Sequence, residues 1–178
     1  MKYPIRRRND PQSSLGRVML FGAWVVGMAL LVFFFKGVIE RQRNPNPQPV
    51  AVAGAGAASS VVLRRNRAGH YVAGGSINGE PVVFMLDTGA TDVALPLALA
   101  RRLGLQLRPG GRAQTANGTV ETWATRLDSV DLGGLVARDV RASVLPAMSS
   151  DEVLLGMSYL KQFELIQQGD TLTLRRHR

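Results

Sequence analysis

The chain has no cysteine among its 178 residues, which removes disulfide cross-links, thiolate metal sites and a thiol nucleophile together. Histidine is almost as scarce. His70 and His177 are the only two, neither stands beside a matching serine and acid, and there is no His-Glu-x-x-His and no Gly-x-Ser-x-Gly. Serine-histidine hydrolysis and zinc peptidase chemistry therefore lack their central residues, and no metal site is expected. Aromatic residues make up 6% of the chain and do not alternate with basic ones, so the stacking platform of a single-strand nucleic-acid binder is missing. Acidic residues are outnumbered, 13 against 22 Lys and Arg, for a net charge of +9. The excess is concentrated near the N-terminus: residues 1–60 hold eight basic side chains against Asp10 and Glu40, whereas residues 61–178 hold fourteen against eleven. The charge thus lies mostly outside the segment that reads as a folded domain, and nucleic acid is not expected as a partner.

Charge is also absent from Val18 to Phe35, VMLFGAWVVGMALLVFFF. At 1.5 Å per residue these 18 residues make a helix of about 27 Å, close to the roughly 30 Å of a bilayer core. Lys2, Arg6, Arg7, Arg8 and Arg17 precede the run and Lys36, Arg41 and Arg43 follow it, so the positive-inside bias places the N-terminus in the cytoplasm and the rest of the chain outside it. A cleaved signal peptide would have a shorter apolar run with small residues immediately after it, whereas Ala51 to Ala57 come too late. A helix buried in a soluble core is disfavoured because the run is apolar on every side and has basic flanks. The expected organisation is a basic cytoplasmic tail (1–17), a transmembrane helix (18–35), a flexible spacer (36–60) containing NPNPQPVAVAGAGAASS, and one domain (61–178). This describes a single-pass inner-membrane protein with a periplasmic or otherwise extracytoplasmic domain.

That domain reads as short strands punctuated by turns, a mainly β architecture. His70–Ile77 and Val82–Leu86 flank Asn78-Gly79, the strongest short hairpin signal. Asn117-Gly118 and Gly133-Gly134 mark two further tips. Pro96–Leu103 is the best helix candidate, opened by proline and capped by Gly104. A short helical end near Leu160 leads into FELI, a QQGD turn and TLTL, so the chain closes on a hairpin.

One segment carries chemistry: Val82 to Pro96, VVFMLDTGATDVALP. Five apolar residues lead directly into Asp87, and burying a carboxylate at the end of such a strand is costly unless it has a purpose or a partner. Asp87-Thr88-Gly89 taken alone favours a simple Asx turn, in which the aspartate bonds its own backbone. Two further segments add context. Val153–Leu160 (VLLGMSYL) places Gly156 69 residues after Asp87, and Gln114–Val120 (QTANGTV) lies between them as a hairpin.

In that order the three segments resemble the catalytic loop, flap and apolar-apolar-Gly element of retroviral-type (retropepsin-like) aspartic proteases. The resemblance covers about residues 66–176 and is nearest to the bacterial membrane-anchored group with DTGA, TANG and LLGM segments. It implies a half-barrel with one or two short helices, and catalysis by Asp87, Thr88 and Gly89. Ala90, Thr115, Ala116, Asn117 and Gly118 would contact a protein or peptide substrate, with no cofactor required. Thr88 would bond across to a partner loop. With only one Asp-Thr-Gly in the chain, the second carboxylate would come from a second copy, and the two would share a proton because like charges resist joint ionisation. The chain departs from the retroviral pattern at Thr91 and at Gly156-Met157-Ser158, where retroviral enzymes carry an acid and Gly-Arg-Asn, so an arginine-based interface contact is in doubt. Trp123 reads as core packing, Asp128, Asp131, Asp139, Asp151 and Glu152 as solvated loop charges, and Asp92 as either a local ion pair or a subsite wall. The competing reading is a catalytically silent fold used as a peptide-binding or dimerisation module at the membrane, against which the intact Asp87-Thr88-Gly89 argues.

Overall fold

The computed structural model describes residues 11–53, 59–115, 118–148 and 151–176. They fall into two compact units, one ending at Arg41 and the other beginning at Gln42. The first is the bulk of α1 (Pro11–Arg43), in which residues 16–43 are long and apolar enough to cross a membrane by length and composition. Phe21, Trp24, Phe33 and the other large apolar side chains of α1 are exposed. The helix continues eight residues beyond Phe35. Glu40, Arg41 and Gln42 favour helix, and Asn44 ends it because a residue preceding proline avoids the α region.

The second unit is built on two sheets. The larger contains β3 (Val72–Ile77), β4 (Glu80–Leu86), β5 (Val93–Pro96), β6 (Arg108–Thr115), β7 (Gly118–Leu132), β8 (Leu135–Leu145) and β9 (Glu152–Leu155) in the order β3-β4-β9-β5-β8-β7-β6. An additional pairing of Ser76 and Ile77 with Asp131 and Val130 curls it toward a barrel. The smaller sheet runs β1 (Val52–Ala53), β2 (Ser59–Arg64), β11 (Thr171–Arg176), β10 (Phe163–Gln168). Two short helices, α2 (Leu97–Arg102) and α3 (Met157–Leu160), complete it. This is the mainly β, barrel-like architecture expected.

The turns form for the reasons legible in the residues. Asn78 and Gly79 take φ of 52° and 86°, as a two-residue hairpin whose twist matches its strands requires, and Ile77 pairs with Glu80 across it. At the end of α2, Gly104 N–H donates to Arg101 O (3.1 Å) and Leu105 N–H to Ala100 O (3.0 Å), the double bond of a Schellman cap. The core gathers Leu63, Ile77, Phe84, Leu95, Leu132 and Tyr159, all fully buried.

Part of the expected spacer belongs to the fold. Asn46 is 9% exposed; its amide donates to Arg64 O (2.9 Å) and Val72 O (2.8 Å) and accepts from Arg64 N–H (2.7 Å). Gly74 N–H donates to Asn46 O (2.9 Å), Ala51 N–H donates to Gly133 O (2.7 Å), and Val52 and Ala53 pair with β2. Composition could not show this, because the stabilisation comes from one amide filling open backbone positions on two strands at once. Two smaller expectations are also corrected. Trp123 is 40% exposed rather than in the core. The Glu152 side chain is largely covered and bonds Arg43 Nε at 2.8 Å, and Asp128, Asp131 and Asp139 lie on strands rather than loops.

The Tyr159 hydroxyl donates to Leu135 O at 2.6 Å, and burial pushes its ionisation well above the usual phenol range. Tyr159→Phe should therefore cost about 1–2 kcal/mol at neutral pH. Because the raised group contributes stability that is lost as the unfolded tyrosine begins to ionise, near pH 10, the gap between wild type and variant should narrow above that pH. Denaturant titrations of both proteins at neutral and alkaline pH test this; a gap that stays constant to pH 11 would sink it.

Candidate active site

Asp87 stands one residue beyond β4, where that strand runs parallel to β9 (Leu86 opposite Leu155), and Asp87 N–H donates to Leu155 O at 3.2 Å. The chain then turns sharply: Gly89 N–H donates to Asp87 Oδ1 at 2.8 Å and Ala90 N–H to Asp87 O at 3.3 Å. The Asx turn is present, and it fixes one oxygen of the Asp87 carboxylate through Gly89 N–H. Asp87 is half-buried, while Thr88 and Gly89 are exposed.

The turn is braced from below by the Gly156 segment. Met157 N–H donates to Ala90 O (2.8 Å) and Ser158 N–H to Thr91 O (2.9 Å). A Cβ on Gly156 would collide with the carbonyl oxygens of Asp92 and Ala90, so only glycine allows the two loops to approach. Ser158, 6% exposed, accepts from Val93 N–H (3.0 Å) and donates to Arg141 O (2.8 Å) through its hydroxyl. It thereby joins β5, β8 and α3 beneath the turn. Sequence reasoning noted this position only as a departure from Gly-Arg-Asn; a lone hydroxyl in an apolar run that must be buried was the available signal, since such groups are almost always bonded. Asp92 resolves to a local ion pair with Arg141 (3.4 Å).

Beside the turn lies a cavity of about 300 Å³ bordered by Tyr71, Leu86, Asp87, Thr88, Leu165 and Gln167, among others. Its apolar wall at a carboxylate was not foreseen. Thr115 and Gly118 pair across β6 and β7 as the expected hairpin, and its tip, Ala116 and Asn117, lies outside the described residues, as does His177. The structure therefore unites Asp87, Thr88, Gly89 and Ala90 in one turn and places Thr115 and Gly118 on a separate element. Among the described residues no three His, Asp or Glu side chains gather as a metal site.

The chain is similar to several known proteins. A curated protein described as an uncharacterized protein in the cobV 5′ region, from a Sinorhizobium species, is 32% identical over 119 residues, 65% of this chain and 51% of its own length. The uncharacterized protein RP867 of Rickettsia prowazekii (strain Madrid E) is 32% identical over 107 residues, 58% of this chain and 46% of its length. The chain thus spans about half the length of the curated relatives it matches. A retropepsin-like aspartic protease from Rickettsia conorii, solved by crystallography, superposes with a TM-score of 0.59 at 29% identity, covering 72% of this chain and 96% of that one. Residues 73–162, just over half of the chain, match the family model for the gag-polyprotein putative aspartyl protease, and the chain belongs to that retropepsin-like aspartic protease family.

Proposed function

We propose that this protein is a membrane-anchored aspartic endopeptidase, active as a homodimer, whose catalytic domain lies outside the cytoplasm. The observation that carries the reading is the presentation of Asp87 in a turn pinned by its own Gly89 and by the Gly156 segment, within a chain of the aspartic protease family. Two Asp87 carboxylates meeting at a two-fold axis share one proton. The unprotonated member takes a proton from a water molecule, whose oxygen attacks the scissile carbonyl carbon, while the protonated member delivers its proton to the carbonyl oxygen. In the resulting diol the newly protonated aspartate protonates the amide nitrogen while the other takes a proton from a diol hydroxyl, so that the C–N bond breaks to give a carboxylic acid and a free amine, and the pair again holds one proton. The chemistry uses only these carboxylates and water. Thr88, exposed and without a hydrogen bond to the described residues of its own chain, is available to bond the second loop and hold the acids in register. Gly89 and Ala90 lie along the substrate main chain, and the hairpin carrying Thr115, Ala116, Asn117 and Gly118 closes over an extended peptide.

Full-length protein in detergent, incubated with a diverse peptide pool and read by mass spectrometry, tests the activity. Asp87→Asn should lower cleavage by about 10³-fold or more while leaving the circular dichroism unchanged. Undiminished cleavage would remove Asp87 from the mechanism, and no cleavage by wild type at any pH would favour the silent module. Mixing wild-type and Asp87→Asn chains under full exchange tests the dimer. Activity per total protein should fall as the square of the wild-type fraction, because only wild-type pairs hold both acids; a linear fall would mean that each chain carries a complete site. For topology, a reporter fused after Arg178 should be active only outside the cytoplasm, and cytoplasmic activity would reverse the orientation.

A further inference from the structure

The two signs of charge are unevenly distributed along the chain. From Arg41 to Gly79 there are five arginines, at 41, 43, 64, 65 and 67, and no aspartate or glutamate; all eleven acids that follow residue 60 lie at or beyond Glu80. Two of these arginines are paired within the domain. Arg43 meets Glu152 at 2.8 Å, and Arg65 lies 3.8 Å from Asp170 with its guanidinium over the Tyr71 ring. Arg64 and Arg67 are exposed and form no ion pair among the described residues. A single arginine in water needs no explanation, so the argument rests on where these two are held.

The loop that carries them is bonded to the residues that leave the apolar helix. Arg67 Nη1 donates to Gln42 Oε1 (3.2 Å) and Asn66 Nδ2 to Arg43 O (3.0 Å), and the backbone of Arg64 is held on both sides by the Asn46 amide. The loop is also closed on itself, because Asn66 Oδ1 accepts from Ala68 N–H (3.0 Å) and His70 N–H (2.9 Å). Gln42 stands seven residues beyond Phe35, the end of the uncharged run. In the helical form that α1 keeps through Arg43, seven residues rise about 10 Å, comparable with a Debye length of roughly 8 Å at physiological salt. Resting on the membrane-anchored reading above, we infer that the loop from Arg64 to Arg67 is a docking surface for the anionic headgroups of the bilayer that holds α1. Each basic side chain within a Debye length of anionic lipid favours the docked state about fivefold, and the chain's own connectivity supplies the encounter. Docking bears on the site. Tyr71, four residues beyond Arg67, borders the cavity beside Asp87, and its carbonyl accepts from Leu86 N–H at 3.0 Å. A docked loop therefore fixes that cavity relative to the lipid surface.

The absence of cysteine makes this directly measurable, because a single introduced thiol reports alone. Full-length Ala68→Cys, exposed between Arg67 and Gly69, is labelled with a fluorophore and reconstituted into vesicles that carry a headgroup quencher. The vesicles are phosphatidylcholine alone or phosphatidylcholine mixed with phosphatidylglycerol. Quenching should be about twofold or more stronger in the anionic vesicles, and the excess should vanish at high salt. Arg64→Gln with Arg67→Gln should remove the excess with the circular dichroism unchanged. Arg64→Lys with Arg67→Lys keeps both charges but not the guanidinium bond to Gln42, and should retain most of it. Equal quenching in the two lipids, an excess that survives the glutamine pair, or an excess lost equally in the lysine pair overturns the docking surface while leaving the chain anchored. A chain that fails to float with the vesicles after a carbonate wash overturns the docking and the anchoring together.

Discussion

Everything near Asp87 depends on a backbone junction, the place where the loop after β4 rests on the turn before α3. Two amide bonds cross it, from Met157 and Ser158 to Ala90 and Thr91, and the Ser158 hydroxyl adds two more partners at Val93 and Arg141. Each such bond contributes only about 1 kcal/mol net. Their importance lies in what they constrain. A carboxylate that works with a second one, as proposed for Asp87, must be held to a fraction of an ångström, and a four-residue turn cannot do that alone. The junction transfers the stiffness of β5, β8 and β9 to the turn, and Gly156 is the condition for it, since any side chain there would push the two backbones apart.

The segment after α1 has a different role from that of a slack tether. Asn46 closes the gap between β2 and β3, Ala51 bonds the β7–β8 turn, and Arg43 reaches Glu152 at the start of β9. Strand β9 pairs with β4 up to Leu86, the residue before Asp87. The chain leaving the apolar helix is therefore bonded to the same strands that position the turn. Removing residues before 61 would strip the larger sheet of these contacts, so a shortened domain would differ from the whole chain in more than the loss of its apolar helix.

The fold was legible where local chemistry decides it. Asn78-Gly79 and Gly133-Gly134 take the positive φ that such turns need, proline and Gly104 bounded α2, and the turn residues between short apolar runs marked the strands. Asp87, Thr88, Gly89 and Ala90 were legible as one turn because their spacing is local. What escaped depends on contacts between residues distant in sequence. Asn46 looked like part of a proline-rich spacer because its partners are 18 and 26 residues away. Trp123 looked like core, but its strand runs on into a hairpin where the indole is 40% exposed. The wall formed by Tyr71, Leu165 and Gln167 is brought to Asp87 by topology, and no window of sequence contains it.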